Sequence, residues 1–200
     1  PRVRRQRQMC IRDSYNIGYV YFAQGDYSKA LEYFEEVLKI RLSVYGENHS
    51  RVASVYNDIG EIYSVQGDDF KALDYFKKSL KIVLSVYGEN HSQVSSIYDH
   101  IGEIYFAQKD YSKALYYFEE SLKIRLSLFG ENHPEVALSY YSIGSLYIIQ
   151  GDKSKALNYY EKSLKIRLSV YGENHPLTKE IMDLINVANS KVLQSPETTK

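Results

Sequence analysis

Four histidines stand at one fixed interval, His49, His91, His133 and His175, and each closes a Gly-Glu-Asn-His stretch. A carboxylate, an amide and an imidazole recurring together are the residue types of a metal site or of general acid–base work. A metal site needs its ligands to converge to about 2.0–2.3 Å from one ion. Equivalent places on successive stacked units lie about 8–10 Å apart, one helix-packing distance. Four such histidines make a ladder and not a cage. Acid–base work fails as well, because no second catalytic group changes from unit to unit to single one of them out. What remains is punctuation. The Gly ends one helix, Asn48 or Ser50 (Pro134 and Pro176 in later units) starts the next, and His and Glu47 hold the loop through hydrogen bonds.

Other candidates read the same way. Gly18, Gly60, Gly102 and Gly144 are isolated within helical patterns and form no phosphate-cradling loop. Tyr33, Tyr75, Tyr117 and Tyr159 read as packing residues whose hydroxyls reach water. Lys29, Lys71, Lys113 and Lys155 fall on solvated faces. No nucleophile–base pair and no metal motif stands out, so the expectation is a non-enzyme with no cofactor and no metal.

The elements that would position these residues repeat every 42 residues: Gly46, Gly88, Gly130 and Gly172 are one column, Tyr21, Tyr63, Tyr105 and Tyr147 another, Ala30, Ala72, Ala114 and Ala156 a third. A constant period in this range marks a solenoid whose units bury their apolar faces only against neighbours. Each unit reads as two helices. Val52, Val55, Tyr56, Ile59, Ile62 and Tyr63 share one helical face, and Phe70, Leu73, Phe76, Leu80 and Leu84 share the next. Between them Gly67 can take the left-handed conformation that ends a helix, and Asp68 can cap the following one. A connection this short makes the two helices antiparallel neighbours.

Tyr56-x2-Ile59-Gly60-x2-Tyr63 followed by Ala72-x3-Phe76 resembles the tetratricopeptide repeat, and the third and fourth units repeat the match from Tyr98 to Phe118 and from Tyr140 to Tyr160. The usual period is about 34, and the Pro that usually ends the second helix is replaced by Leu42, Leu84, Leu126 and Leu168. The lengthened second helix, with Gly-Glu-Asn-His leading into the next unit, looks like the subclass found in kinesin light chains. The resemblance implies an all-α, right-handed α-solenoid of antiparallel helix pairs. It would hold about four repeats (about 11–52, 53–94, 95–136 and 137–178) and a more polar closing helix at 177–194, with residues 195–200 as a disordered tail.

Residues 1–14 are read as lying outside this fold. Arg4 to Asp13 is the translation of CGT CGG CAG CGT CAG ATG TGT ATA AGA GAC, so the segment resembles a translated sequencing adapter. The segment holds five Arg, one Asp and the only Cys; without it, 20 basic residues face 24 acidic ones. The mildly acidic remainder, near −4, removes the case for nucleic-acid binding. The frame reads as cut at its start, with more chain expected upstream, and the first helix is expected to fray because Asp13 and Ser14 stand where Val55 and Tyr56 stand one repeat later. No apolar run approaches the ~20 residues of a membrane helix. The cytoplasm is the default compartment for a chain with no visible signal.

In tetratricopeptide arrays the first helix of each unit lines a concave face that receives peptides. The residues matched to that face are Tyr15, Tyr19 and Phe22, then Asn57, Glu61 and Ser64, then Asp99, Glu103 and Phe106, then Tyr141, Ser145 and Ile148. These positions vary between units while the scaffold columns do not. Glu61, Asp99 and Glu103, with Asp58 beside them, make an acidic middle flanked by aromatics, which favours a peptide carrying Lys or Arg plus an apolar anchor. None of the twelve is a Lys or Arg, which disfavours capture of a terminal carboxylate. Asn57 stands where kinesin-light-chain repeats often carry a groove Asn that could hold a ligand backbone, and His100 is read as a half-exposed bystander. The function expected is a peptide-binding scaffold or adaptor. The alternative is a regulatory array within a larger enzyme or signalling protein. Self-association through repeat ends is the third option.

Overall fold

In the computed structural model residues 2–190 are described, with side chains from Arg12 onward. Every regular element among them is an α-helix: α1 (Arg2–Ala23), α2 (Tyr27–Tyr45), α3 (Ser50–Val65), α4 (Asp69–Tyr87), α5 (Ser92–Ala107), α6 (Tyr111–Phe129), α7 (Pro134–Gln150), α8 (Lys153–Tyr171) and α9 (Pro176–Ser190). The closing helix is present to Ser190. The rest of its expected span and the tail at 195–200 lie outside the described residues. At the other end α1 runs back to Arg2, through the segment that the sequence reading set outside the fold.

The chain divides into two compact units, Pro1–Ile104 and Tyr105–Lys200. In each, consecutive helices pair, α1 with α2 and α3 with α4 in the first, α7 with α8 in the second. The repeated Gly and Ala explain how closely they pair. A Cβ on Gly60 would come within 2.8 Å of the Phe76 ring, and one on Gly144 within 2.7 Å of the Tyr160 ring. Ala30, Ala72, Ala114 and Ala156 are completely buried. Ser79 and Ser163 donate to the carbonyls of Ala53 and Ala137 at 2.8 and 2.7 Å, which holds the backbones of a pair together.

Two repeated devices set the helix ends. Asp26, Asp68, Asp110 and Asp152 cap the second helix of each pair by accepting the backbone N–H three residues on, from Lys29, Lys71, Lys113 and Lys155. Each of those lysines also returns its ammonium to the same Asp, at 2.9, 2.8, 2.6 and 3.1 Å, and lies over the Tyr21, Tyr63, Tyr105 or Tyr147 ring. The bonds to Lys lower each Asp pKa and raise each Lys pKa. The lysines read as merely solvated therefore brace the turn. At its left-handed position Gly25, Gly67 and Gly151 are joined by a non-glycine, Lys109, with φ of 62°.

The second device is the histidine. His49 Nδ1 accepts the Arg51 N–H at 3.1 Å, and His91, His133 and His175 accept those of Gln93, Glu135 and Leu177 at 3.2 Å. Each imidazole stacks on the aromatic four residues earlier, at centroid distances of 4.5, 4.1, 4.3 and 4.5 Å. The helix start expected at Asn48 or Ser50 is taken by a different residue. The cap is the histidine itself, because Nδ1 stands where the oxygen of a capping Asn would.

Candidate functional site

In unit 1 the predicted residues of α1, α3 and α5 meet around two groups. Tyr15 and Tyr19, one turn apart on α1, both donate to Asp58 on α3, to Oδ2 and Oδ1, each at 2.6 Å. Burial of Asp58 raises its carboxyl to about 6, against the pull of the two phenol bonds. Burial and the adjacent carboxylate push the Tyr15 hydroxyl up to about 12 and Tyr19 well above the usual phenol range. The two rings pack edge to face, 5.1 Å apart, and both meet Phe34.

The second centre is His100 on α5. Its ring stacks flat on Phe76 at 5.0 Å, with Nε2 3.4 Å from Glu61 and Nδ1 3.8 Å from Glu103. Burial alone would lower its pKa. Bonding to Glu103 and Glu61 outweighs that and raises it to about 9, so the imidazole is cationic at neutral pH. Asn57 Nδ2 donates to Glu61 Oε1 at 2.6 Å. His100, set aside as a bystander, is the cation of the acidic middle. The sequence signal was its place three residues before Glu103.

The remaining predicted residues divide. Ser64 and Asp99 are half-buried, and Phe22 packs into the first core against Tyr27. In unit 2 Phe106 packs against Tyr111 at 6.0 Å, and Ile148 is exposed. Tyr141 donates to Glu180 at 3.2 Å, and its hydroxyl is pushed up by burial and by that carboxylate. Ser145 accepts from Tyr160 at 3.2 Å.

A buried arginine column is present that the sequence pattern alone did not reveal. Arg41, Arg125 and Arg167 stand at one register of the lengthened second helix and are 8%, 4% and 4% exposed. Arg41 and Arg167 donate to the carbonyls of Arg51 and Leu177, both at 2.6 Å, and lie over the rings of Tyr15 and Tyr141. Arg125 donates to Ser139 and pairs with Glu135 at 2.9 Å. Each ties its helix to the first helix of the next repeat. The signal was the recurrent Lys-Ile-Arg-Leu-Ser, a charge at fixed register in an otherwise apolar stripe.

The tetratricopeptide repeat pattern matches residues 11–83, 51–127 and 93–169. This chain belongs to the tetratricopeptide repeat family. No curated protein sequence matches it. Among solved structures this tetratricopeptide repeat protein is similar to BtubC (BKLC) from P. vanneervenii, with 17% identity, a TM-score of 0.74, and 98% of this chain and 92% of that one covered. It is also similar to a kinesin-light-chain-like chain of nearly identical TPR-like repeats from Podosopora anserina, with 16% identity, a TM-score of 0.71, and coverage of 92% and 97%. The apo form of RapI is 17% identical with a TM-score of 0.77, and 92% of this chain covers 64% of RapI. The fold is thus an all-α tetratricopeptide solenoid similar to those structures, and its family makes it a repeat scaffold for protein interaction. No helix among the described residues is long and apolar enough to cross a membrane.

Proposed function

We propose that the α1, α3 and α5 face of unit 1 binds an extended peptide carrying Lys or Arg beside an apolar anchor, so that the chain serves as an adaptor in the cytoplasm. One observation carries the reading. Asp58, Glu61 and Glu103 gather about this face against the His100 imidazolium and the buried Arg41, with the Glu103 side chain 67% exposed. The nearby Arg41 is turned to a backbone carbonyl. A surplus of carboxylate steers a basic segment and sets its register, and Tyr15 and Tyr19 supply aromatic surface for the anchor. The test is peptide-library selection on the chain beside Glu61→Lys/Glu103→Lys and the milder Glu103→Lys. Basic-aromatic peptides enriched by the parent and lost in the double variant are the expected result. The same peptides enriched by both would remove the electrostatic basis, and no enrichment on the parent would remove peptide binding.

A further inference from the structure

Repeat two departs from its siblings at two coupled positions. Where the first and fourth repeats pair Tyr15 with Arg41 and Tyr141 with Arg167, the same register holds Asn57 and Val83. A guanidinium and its aromatic platform are both absent, and a cavity of about 230 Å³ opens there, within unit 1. Val83 and Ser79 form its buried floor, and Tyr15, Asn57, Asp58 and Gln93 line it. Two of the lining residues, Asn57 and Gln93, each carry a buried side-chain oxygen, Oδ1 and Oε1, with no hydrogen-bond partner. A buried acceptor left without a donor is costly, so the site is incomplete as it stands. Ser79 Oγ is already spent on the Ala53 carbonyl, and Asp58 accepts from Tyr15 and Tyr19 while keeping lone pairs on both oxygens.

The geometry points to a subsite for the side chain of an arginine in the partner peptide, entering from the groove to take the place that Arg41 and Arg167 take in the sibling repeats. The inference rests on the peptide-binding reading and specifies one residue of the ligand. Three features select a guanidinium. Its five donors in a planar fork can meet both unpartnered acceptors, which a hydrocarbon cannot do. The sibling arginines show how a guanidinium sits at this register, against the carbonyl ten residues on and over a tyrosine ring. Here that carbonyl belongs to Gln93, and the aromatic residue on the lining is Tyr15, which also carries Arg41 over its ring and packs against Tyr19 and Phe34. The local charge also suits a cation. Asp58, Glu61 and Glu103 face Arg41 and His100, three carboxylates against two cations.

The test is an NMR titration of the isotope-labelled chain at pH 7.5 with N-acetyl-arginine amide, and with N-acetyl-citrulline amide as its uncharged isostere. The Asn57 and Gln93 side-chain amides and the Ser96 and Ile97 backbone amides are the reporters. The expected result is saturable shifts with arginine and at least about tenfold weaker response to citrulline, since the charge-assisted bonds are lost. Val83→Arg restores the sibling residue from within and should abolish the shifts. Gln93→Met, which removes one acceptor at nearly constant volume, should weaken them several-fold and keeps the test valid if Val83→Arg fails to fold. Absent shifts, equal response to citrulline, or undiminished shifts in either folded variant would overturn the subsite. Because the probe reads the cavity directly, the result holds even if the library enriches nothing. Conversely, peptides enriched without a fixed arginine would keep the groove reading while this one falls.

Discussion

His100 is held by charge on both sides, and that makes its proton a stability term. Its ordinary value is 6.5 and the folded value is about 9, so the native state binds the proton more tightly than the unfolded chain. The stabilisation is complete below 6.5 and is lost as pH rises through 9. Chemical denaturation of the parent and of His100→Gln, followed from pH 6 to 10, should show their stability difference shrinking across that window. A difference that stays constant would mean that the imidazole carries no proton worth counting. Gly60 offers a steric test at the same scale. Its absent Cβ would press on the Phe76 ring at 2.8 Å. Gly60→Ala should cost about 1–3 kcal/mol by overpacking, more than helix propensity returns, measured as a fall in the denaturation midpoint.

Helix boundaries follow from chemistry that the sequence shows only partly. The Gly-Asp turn was legible, because Gly favours positive φ and Asp is an established cap. The histidine cap was not, since capping by imidazole depends on Nδ1 facing the backbone, and ring stacking on Tyr45 or its equivalents is what turns it that way. The third turn is the exception. Lys109 holds φ of 62° where its siblings are glycine. Lys109→Gly should therefore stabilise the chain by about 1 kcal/mol, the left-handed strain of a side chain outweighing the added flexibility of glycine. Differential scanning calorimetry would register a higher melting temperature. A lower one would show that the unfolded-state entropy dominates.

For the molecule as a whole, the 42-residue period carried fold class and pairing, because each unit repeats the same packing problem and solves it with the same Gly, Ala and aromatic residues. The candidate site was less legible for the opposite reason. Asp58, His100 and Val83 matter through contacts with residues one repeat away, and a column read along the sequence does not report what lies across from it. The twelve groove positions were chosen by helix register. Register set Tyr15, Tyr19, Asn57, Glu61 and Glu103 about the two centres of unit 1, while Phe22 and Phe106 turn toward cores. In the proposed function the carboxylates of unit 1 recruit a basic peptide. A peptide selected by the parent, labelled and titrated by fluorescence anisotropy at about 50 mM and again at about 500 mM salt, tests it most directly. Tight binding at low salt, weakening as salt rises, and a loss of about tenfold or more in Glu61→Lys/Glu103→Lys are the expected results. Equal affinity of parent and variant at low salt would contradict it.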